Sequence, residues 1–361
     1  MYIKKIDIQN FRNYKDFSYN FESQGCIITG NNGIGKSNFL EAISYFAYGK
    51  SILSNKDTEL LNLNFPQGKE NNFTINSQYH TDQTDINFFV RYNSKKQKLI
   101  KIHNKQIKKI SELYKYIQVV YSSPNDIFNI FSTPAKRRQF LDMSIAKIYP
   151  MYINYLSNYK NALHQRNMLL KMNYNHSEKN AWDKIFINEA QNVTEYRKKF
   201  ITEFKIYFSN AYNDMINEQE KVDISLRLNF NNQANFEEEM LKEIHKINKK
   251  ESLQQISLIG PHLDDLQINI DNKSANIYAS QGQKRSLVIA LKLGMSSFIH
   301  NSLNTYPILI FDDTLAELDN NRTNKLLNHL SQKHQIFIAS PTLDKYSLIK
   351  LPLLNLERNQ L

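Results

Sequence analysis

A mixed α/β head interrupted by a helical lobe is the architecture this sequence predicts, and three observations predict it. Only nine glycines occur in 361 residues, and five of them (Gly25, Gly30, Gly33, Gly35 and Gly49) crowd into the first fifty. No glycine lies between Gly68 and Gly260 and no proline between residues 151 and 260, so the middle of the chain lacks both helix breakers. The flanks instead alternate apolar and polar residues with a period of two, as half-buried strands do.

Taken in order, residues 2 to 8, 15 to 21, 25 to 29, 73 to 79, 86 to 92, 98 to 103 and 117 to 121 read as strands, by alternation and by β-branched or aromatic content. A helix is expected next, with Thr133 as N-cap, Pro134 at its first position and a stop before Pro150. Tyr152, Tyr155, Leu156, Tyr159, Leu163, Arg166 and Leu170 follow a 3-4 spacing. Trp182, Ile185, Phe186, Val193, Tyr196, Phe200, Phe204, Phe208 and Ala211 continue it, so two long helices pack through an aromatic seam. Residues 222 to 230, 265 to 270, 274 to 279, 307 to 311 and 335 to 339 return to strand patterning. The expected division is a discontinuous head of residues 1–122 and 222–361 around a helical lobe of residues 123–221.

Composition bounds the function. Lys plus Arg number 46 against 35 Asp plus Glu, a net charge of +11, which attracts polyanions and puts nucleic acid first among partners. The competing account is codon drift, since Asn, Lys, Ile and Tyr are all abundant and all specified by AT-rich codons. The longest apolar runs, such as Ile308 to Phe311, fall far below the roughly 18 residues of a membrane span. The first fifteen residues contain no apolar block of a secretory signal, so a cytoplasmic location is expected. A single cysteine, Cys26, excludes an internal disulfide and a cysteine-based zinc site.

Residues 30 to 37 read Gly30-Asn31-Asn32-Gly33-Ile34-Gly35-Lys36-Ser37 and satisfy GxxxxGK[ST], after an apolar strand (Cys26 to Thr29) and before a helix expected from Ser37 to Phe46, with Asn38 also lining the ATP site. Glycines at these positions let successive backbone N–H groups point inward, and the helix N-terminus adds positive potential, so the loop suits phosphate groups. Lys36 would reach the β- and γ-phosphates of ATP, and Ser37 would hold Mg²⁺; as a site residue Lys36 is expected to face solvent. Residues 307 to 319 give a buried apolar strand ending in Asp312 and Asp313, the carboxylate arrangement that faces such a loop. Asp312 is expected to bind Mg²⁺ and Asp313 to orient or deprotonate the attacking water, so Lys36, Asp312 and Asp313 form the candidate catalytic set.

A third segment, Ser280-Gln281-Gly282-Gln283 before an apolar helix, resembles the signature motif of ABC-type ATPases. That resemblance implies that Ser280 and Gly282 contact the γ-phosphate held by a second subunit, so that each site is completed only in a dimer. With these motifs the chain as a whole resembles the RecF family of bacterial recombination mediators. The resemblance includes Ile8-Gln9-Asn10-Phe11-Arg12-Asn13-Tyr14, Ser123-Pro124-Asn125-Asp126, Lys136-Arg137-Arg138-Gln139-Phe140-Leu141-Asp142, Gln165-Arg166-Asn167 and Gly260-Pro261-His262-Leu263-Asp264-Asp265. It implies an ABC/SMC-like P-loop ATPase head with mixed β-sheets, a short helical second lobe, and an ATP-dependent homodimer. It further implies binding to duplex or gapped DNA, the partners RecR and RecO, and a role ahead of RecA loading.

By the same resemblance Arg12 contacts nucleotide, the alternative being a surface ion pair, and Asp319 is the D-loop aspartate. Asp313 stands where most ABC ATPases have Glu, and one methylene less implies slow hydrolysis. No glutamine-loop residue is evident, Ser340 is the candidate γ-phosphate sensor, and His262 either shapes the nucleotide end or caps a turn. For DNA, residues 95 to 109 form a basic hairpin with Lys95, Lys96, Lys98, Lys101, Lys105, Lys108 and Lys109 and no acid. The alternative for that hairpin is a solvated edge strand guarded by lysine. Lys136, Arg137 and Arg138 make a second candidate patch. A transporter ATPase subunit shares the three nucleotide motifs but accounts for neither the hairpin nor the helical lobe, and no acidic cluster supports a nuclease.

Overall fold

The computed structural model describes residues 1–54, 56–65, 70–81, 84–172, 175–216, 220–230, 235–317, 327–328, 330–342, 346 and 349–356. These divide into a head unit (residues 1–124 and 296–361) and a helical unit (residues 125–295). In chain order the first half of the head runs β1 (Tyr2–Phe11), β2 (Tyr14–Asn20), β3 (Gly25–Thr29), α1 (Lys36–Tyr48), β4 (Asn72–His80), β5 (Asp85–Asn93), β6 (Lys98–Ile102), β7 (Lys105–Gln106) and β8 (Val119–Ser122). The middle of the chain forms α2 (Asn125–Phe131), α3 (Pro134–Ile148), α4 (Tyr152–Leu170), α5 (His176–Met215), β9 (Val222–Arg227), α6 (Phe236–Gln254), β10 (Asp265–Ile270), β11 (Lys273–Ser274), α7 (Ala275–Tyr278) and α8 (Gln281–Leu303). The remaining strands are β12 (Ile308–Asp312), β13 (Ile336–Ala339) and β14 (Leu353–Asn355).

Two sheets build the head. One is antiparallel, in the order β2-β1-β4-β5-β6-β7, and buries alternate residues of β4 and β5, as the period-two pattern requires. The other is parallel, in the order β14-β3-β13-β12-β8. Its strands β3, β8, β12 and β13 are buried at every residue, which is why they read as apolar runs and not as alternation. Strands β12 and β13 come from the far end of the sequence yet lie between β3 and β8, so the helical insertion leaves the two halves of the head joined in one sheet.

In the helical unit, Thr133 accepts a hydrogen bond from the Lys136 amide and Pro134 opens α3, as expected. Helices α4 and α5 pack along the aromatic seam, with Phe200, Phe204 and Phe208 stacked in sequence along α5. The unit boundary differs from the expected one at its second edge. Residues 222 to 295 group with the helices because β9 lies against α5 and β10 against α3. The expected strand over 274 to 279 is absent. Asp271 and Asn272, both at positive φ, turn β10 into β11 for two residue pairs, after which buried Ala275 starts the short α7.

Candidate functional site

The loop leaves the buried end of β3 and turns through glycines at positive φ, of which Gly35 (φ 113°) is also the N-cap of α1. No side chain caps α1 and its first turn holds no acid, so its leading N–H groups stay open to an anion. The loop is braced from behind. Asn13 Nδ2 donates to Ile34 O at 2.9 Å, Tyr14 Oη donates to Gly35 O at 3.0 Å, and Asn38 Nδ2 donates to Asn13 Oδ1 at 2.7 Å. A side chain at Gly35 would bring its Cβ within 2.4 Å of Asn13 Nδ2. Asn13 and Tyr14 are therefore positioning residues. In the sequence they stand only within the Ile8-to-Tyr14 motif, where nothing local marks a bracing role.

Lys36 is a correction: it is 6% exposed, not solvent-facing. Its Nζ donates to Gly30 O at 2.8 Å and Asn31 O at 3.2 Å, curled into the mouth of the loop. A buried ammonium needs such acceptors, and here the loop's own carbonyls supply them. An open pocket lined by Thr29, Gly30, Asn31, Asn32, Pro341, Leu353 and Asn355 flanks the loop. Ser340 is buried and donates to Thr342 O at 2.9 Å, so its hydroxyl is engaged within its own turn.

Ser37 Oγ donates to Asp312 Oδ1 at 2.9 Å, joining residues 275 apart in sequence. Tyr121 Oη donates to Asp312 Oδ2, also at 2.9 Å. Burial pushes the Asp312 carboxyl above its ordinary pKa, while the Tyr121 and Ser37 hydroxyls oppose that shift. Asp313 sits at φ 53° and its Oδ1 is buried without a hydrogen-bond partner among the described residues. Its pKa is also raised by burial, against the pull of Lys36. A hydroxyl and a carboxylate side by side, with an orphaned carboxylate oxygen on the next residue, form a hard oxygen donor set that fits Mg²⁺.

Arg12 lies in an ion pair, but with a buried partner and not at the surface. Its Nε donates to Glu41 Oε2 at 2.6 Å and its Nη2 to Ser54 Oγ at 2.6 Å, and Glu41 is fully buried. In the helical unit, Ser280 and Gln283 cap α8 reciprocally: Gln283 N donates to Ser280 Oγ at 3.1 Å and Ser280 N to Gln283 Oε1 at 2.8 Å. Ser280, Gln281 and Gly282 are exposed. An added Cβ at Gly282 would meet only Ser280 Oγ at 3.9 Å, so packing beyond its own helix does not demand glycine there. Asp319 lies outside the described residues.

The basic candidates separate into exposed and committed groups. Lys105, Lys108 and Lys109 are on or beside the β6–β7 edge, and Lys96 is exposed in the β5–β6 turn. Lys95 lies 3.9 Å from Glu70, Lys101 sits over the Phe89 ring, and Lys98 is drawn inward to Asp57 and to Gly49 O. Arg137 is buried and bidentate with Asp265, at 2.7 and 2.8 Å, so it is no surface contact. Arg138 donates to Asp264 O at 2.7 Å, and Lys136 is half-buried. His262 is held by Tyr159 Oη at 2.5 Å and Ser257 O at 3.1 Å, an internal pin of its turn. No three-residue cluster of His, Cys, Asp or Glu suited to a metal occurs among the described residues.

A glycine loop on a parallel strand, facing a carboxylate at the end of β12, one strand removed in the same sheet, with an antiparallel sheet beside it, defines an ATPase head of the ABC/SMC type. Residues 2–350 match the model of the RecF/RecN/SMC N-terminal domain, and the chain belongs to that family, within its RecF branch of DNA replication and repair proteins. It is 34% identical over 354 residues to the DNA replication and repair protein RecF of Clostridium botulinum (strain ATCC 19397 / Type A), covering 96% of this chain and 95% of that one. The Heliobacterium modesticaldum protein of the same name is 30% identical over 355 residues, covering 96% and 94%. Among solved structures, the recombination mediator protein RecF bound to ATP in the RecFOR pathway superposes with a TM-score of 0.87 at 27% identity, covering 94% of this chain and 92% of that one. An Smc head bound to the C-terminal winged-helix domain of ScpA shares the fold at a TM-score of 0.57 and 14% identity, covering 100% and 96%. These matches favour the repair reading over the transporter subunit. No helix among the described residues is long and apolar enough to cross a membrane.

Proposed function

We propose that this chain is an ATP-gated DNA-binding protein whose output is assembly on DNA. The observation that carries the reading is the 2.9 Å contact of Ser37 with Asp312, because it joins the phosphate loop to the metal-binding carboxylate across the helical insertion. The loop amides and the start of α1 would take the phosphates, Lys36 would leave the Gly30 and Asn31 carbonyls for the β- and γ-phosphate oxygens, and Ser37 and Asp312 would hold Mg²⁺. A bound Mg²⁺ supplies charge neutralisation at those oxygens. Asp313 would orient water with its unpartnered oxygen, and its short side chain keeps hydrolysis slow.

Exposed Ser280 and Gly282 would complete the site of a second copy, so ATP promotes a homodimer and hydrolysis releases it. The similarity to a recombination mediator of the RecFOR pathway and to DNA replication and repair proteins supports DNA as the target; the family resemblance adds gapped DNA, the partners RecR and RecO, and a role ahead of RecA loading. A cytoplasmic, nucleoid-associated location follows from that role. Exposed Lys96, Lys105, Lys108 and Lys109 would contact phosphates without reading bases, since they lie in or next to the β5-β6-β7 end of the antiparallel sheet.

Anisotropy of labelled duplex and gapped DNA, titrated with ATP, ADP or no nucleotide at two salt concentrations, tests this with oligomeric mass recorded in parallel. Binding that needs ATP, weakens with salt and appears together with a dimer is the expected result. Dimerisation without any DNA response would overturn the DNA reading and leave the nucleotide site standing.

A further inference from the structure

We infer that Tyr121 is a positioning residue of the metal site, fixing the rotamer of Asp312 so that one carboxylate edge is presented to Mg²⁺. The inference rests on the nucleotide reading above and deepens it. Strand β8 runs parallel to β12 with Tyr121 opposite Ile310. Side chains two apart on a strand share a face, so Ile310, Asp312 and Tyr121 lie on the same side of the sheet. From two residues back in the register, the phenol is long enough to reach forward to Asp312, and it donates to Oδ2 at 2.9 Å.

The opposite oxygen, Oδ1, receives the Ser37 hydroxyl at 2.9 Å. Two donors from two different elements, β8 and α1, thus clamp the two oxygens of a side chain that is itself 4% exposed. A carboxylate held at one oxygen only can rotate about its Cβ–Cγ bond; one held at both cannot do so without breaking a charge-assisted hydrogen bond. The Ser37 hydroxyl keeps its lone pairs for a metal while donating its O–H to Asp312 Oδ1, so the clamp is compatible with metal binding. Hydroxyls behind a ligating carboxylate characteristically orient it and tune its affinity. Tyrosine at this position also resolves a packing question, because a buried phenol must find an acceptor and phenylalanine would fill the same apolar space without one.

The test is binding of a fluorescent, non-hydrolysable ATP analogue by the full chain, titrated with Mg²⁺ and repeated in EDTA, for the parent, Tyr121→Phe, Asp312→Asn and the double variant. The expected result is a half-saturating Mg²⁺ concentration raised about tenfold or more in Tyr121→Phe. Analogue affinity in EDTA should remain within about twofold, and the second substitution should add nothing once Asp312 is already Asn. A merely structural role would weaken analogue binding equally with and without metal, and that outcome overturns the inference. So does an unchanged Mg²⁺ requirement in Tyr121→Phe, or an additive double variant. If the parent itself shows no Mg²⁺ dependence, the metal reading of Ser37 and Asp312 fails, which is distinguishable from failure at Tyr121 alone. Should Tyr121→Phe fold poorly, Tyr121→Trp, which offers an N–H donor in place of the hydroxyl, is expected to retain part of the parent's Mg²⁺ affinity; full loss there with intact EDTA binding would count against the clamp.

Discussion

Arg166 sits at the centre of a buried ionic cluster, and replacing it measures what holds the helical unit together. Its guanidinium is fully buried and donates to Asp183 Oδ1 at 2.7 Å, to Glu251 at 2.5 and 3.0 Å, and to Ser257 Oγ at 2.7 Å. Lys179 adds a second cation at 2.7 Å from Asp183. The four charges sum to zero, and they tie α4 to α5 and α6. Arg166→Met keeps most of the volume but leaves Glu251, itself fully buried, as an uncompensated carboxylate, since Lys179 still pairs with Asp183. Breaking a buried pair from one side costs about 3–5 kcal/mol. With a urea dependence near 3 kcal/mol per molar, the midpoint should fall by roughly 1–1.7 M.

The sole tryptophan, Trp182, adjoins Asp183 on α5 and reports this unit selectively by fluorescence. Adding Glu251→Gln restores neutrality and should recover about half of the loss, since the deficit is electrostatic rather than a cavity. A midpoint shift below about 0.3 M, or a double variant no better than the single one, would refute the reasoning.

Gly35→Ala should weaken nucleotide binding about tenfold or more, because φ 113° is strained for alanine and the new Cβ displaces Asn13 from the loop it braces; fluorescent-nucleotide titration reads this. Lys147, buried in α3, has its pKa lowered to about 7 by burial and by Lys292. Between pH 7 and about 10.5 the unfolded chain binds the extra proton, so this group makes stability rise with pH, and its full cost is present below pH 7. Lys147→Met should therefore raise Tm most at pH 6 to 7 and progressively less towards pH 10, and a gap independent of pH would contradict that account.

The Gln165-Arg166-Asn167 and Gly260-to-Asp265 segments show how differently motif and meaning were readable. Both stood out in the sequence, yet their chemistry is internal. Arg166 and Asn167 anchor Glu251 and Ser257, while Asp264 and Asp265 receive Arg197 and Arg137. A basic triplet such as Lys136-Arg137-Arg138 looks alike whether solvent or a carboxylate 128 residues away receives it. The same ambiguity held for Arg12, whose acceptor Glu41 is hidden by nothing more than its own ordinary position on α1.

Local physics sufficed for what is local. Glycine spacing set the phosphate loop, Thr133 and Pro134 set the start of α3, and the absence of glycine and proline across the middle set the long helices. Unbroken apolar runs announced strands buried on both faces, because only a covered parallel sheet has use for them. Helix α6 was missed although Asn235 before three glutamates is an N-terminal signal, with Asn235 accepting from the Glu237 and Glu238 amides. What only the tertiary structure decided is pairing: that Asp312 meets Ser37 and Tyr121, that Lys98 and Arg137 turn inward, and that Lys36 rests on its own loop. A side chain's type states what it can bond, but its partner depends on which strands lie side by side, and that is settled by burial of the whole sheet.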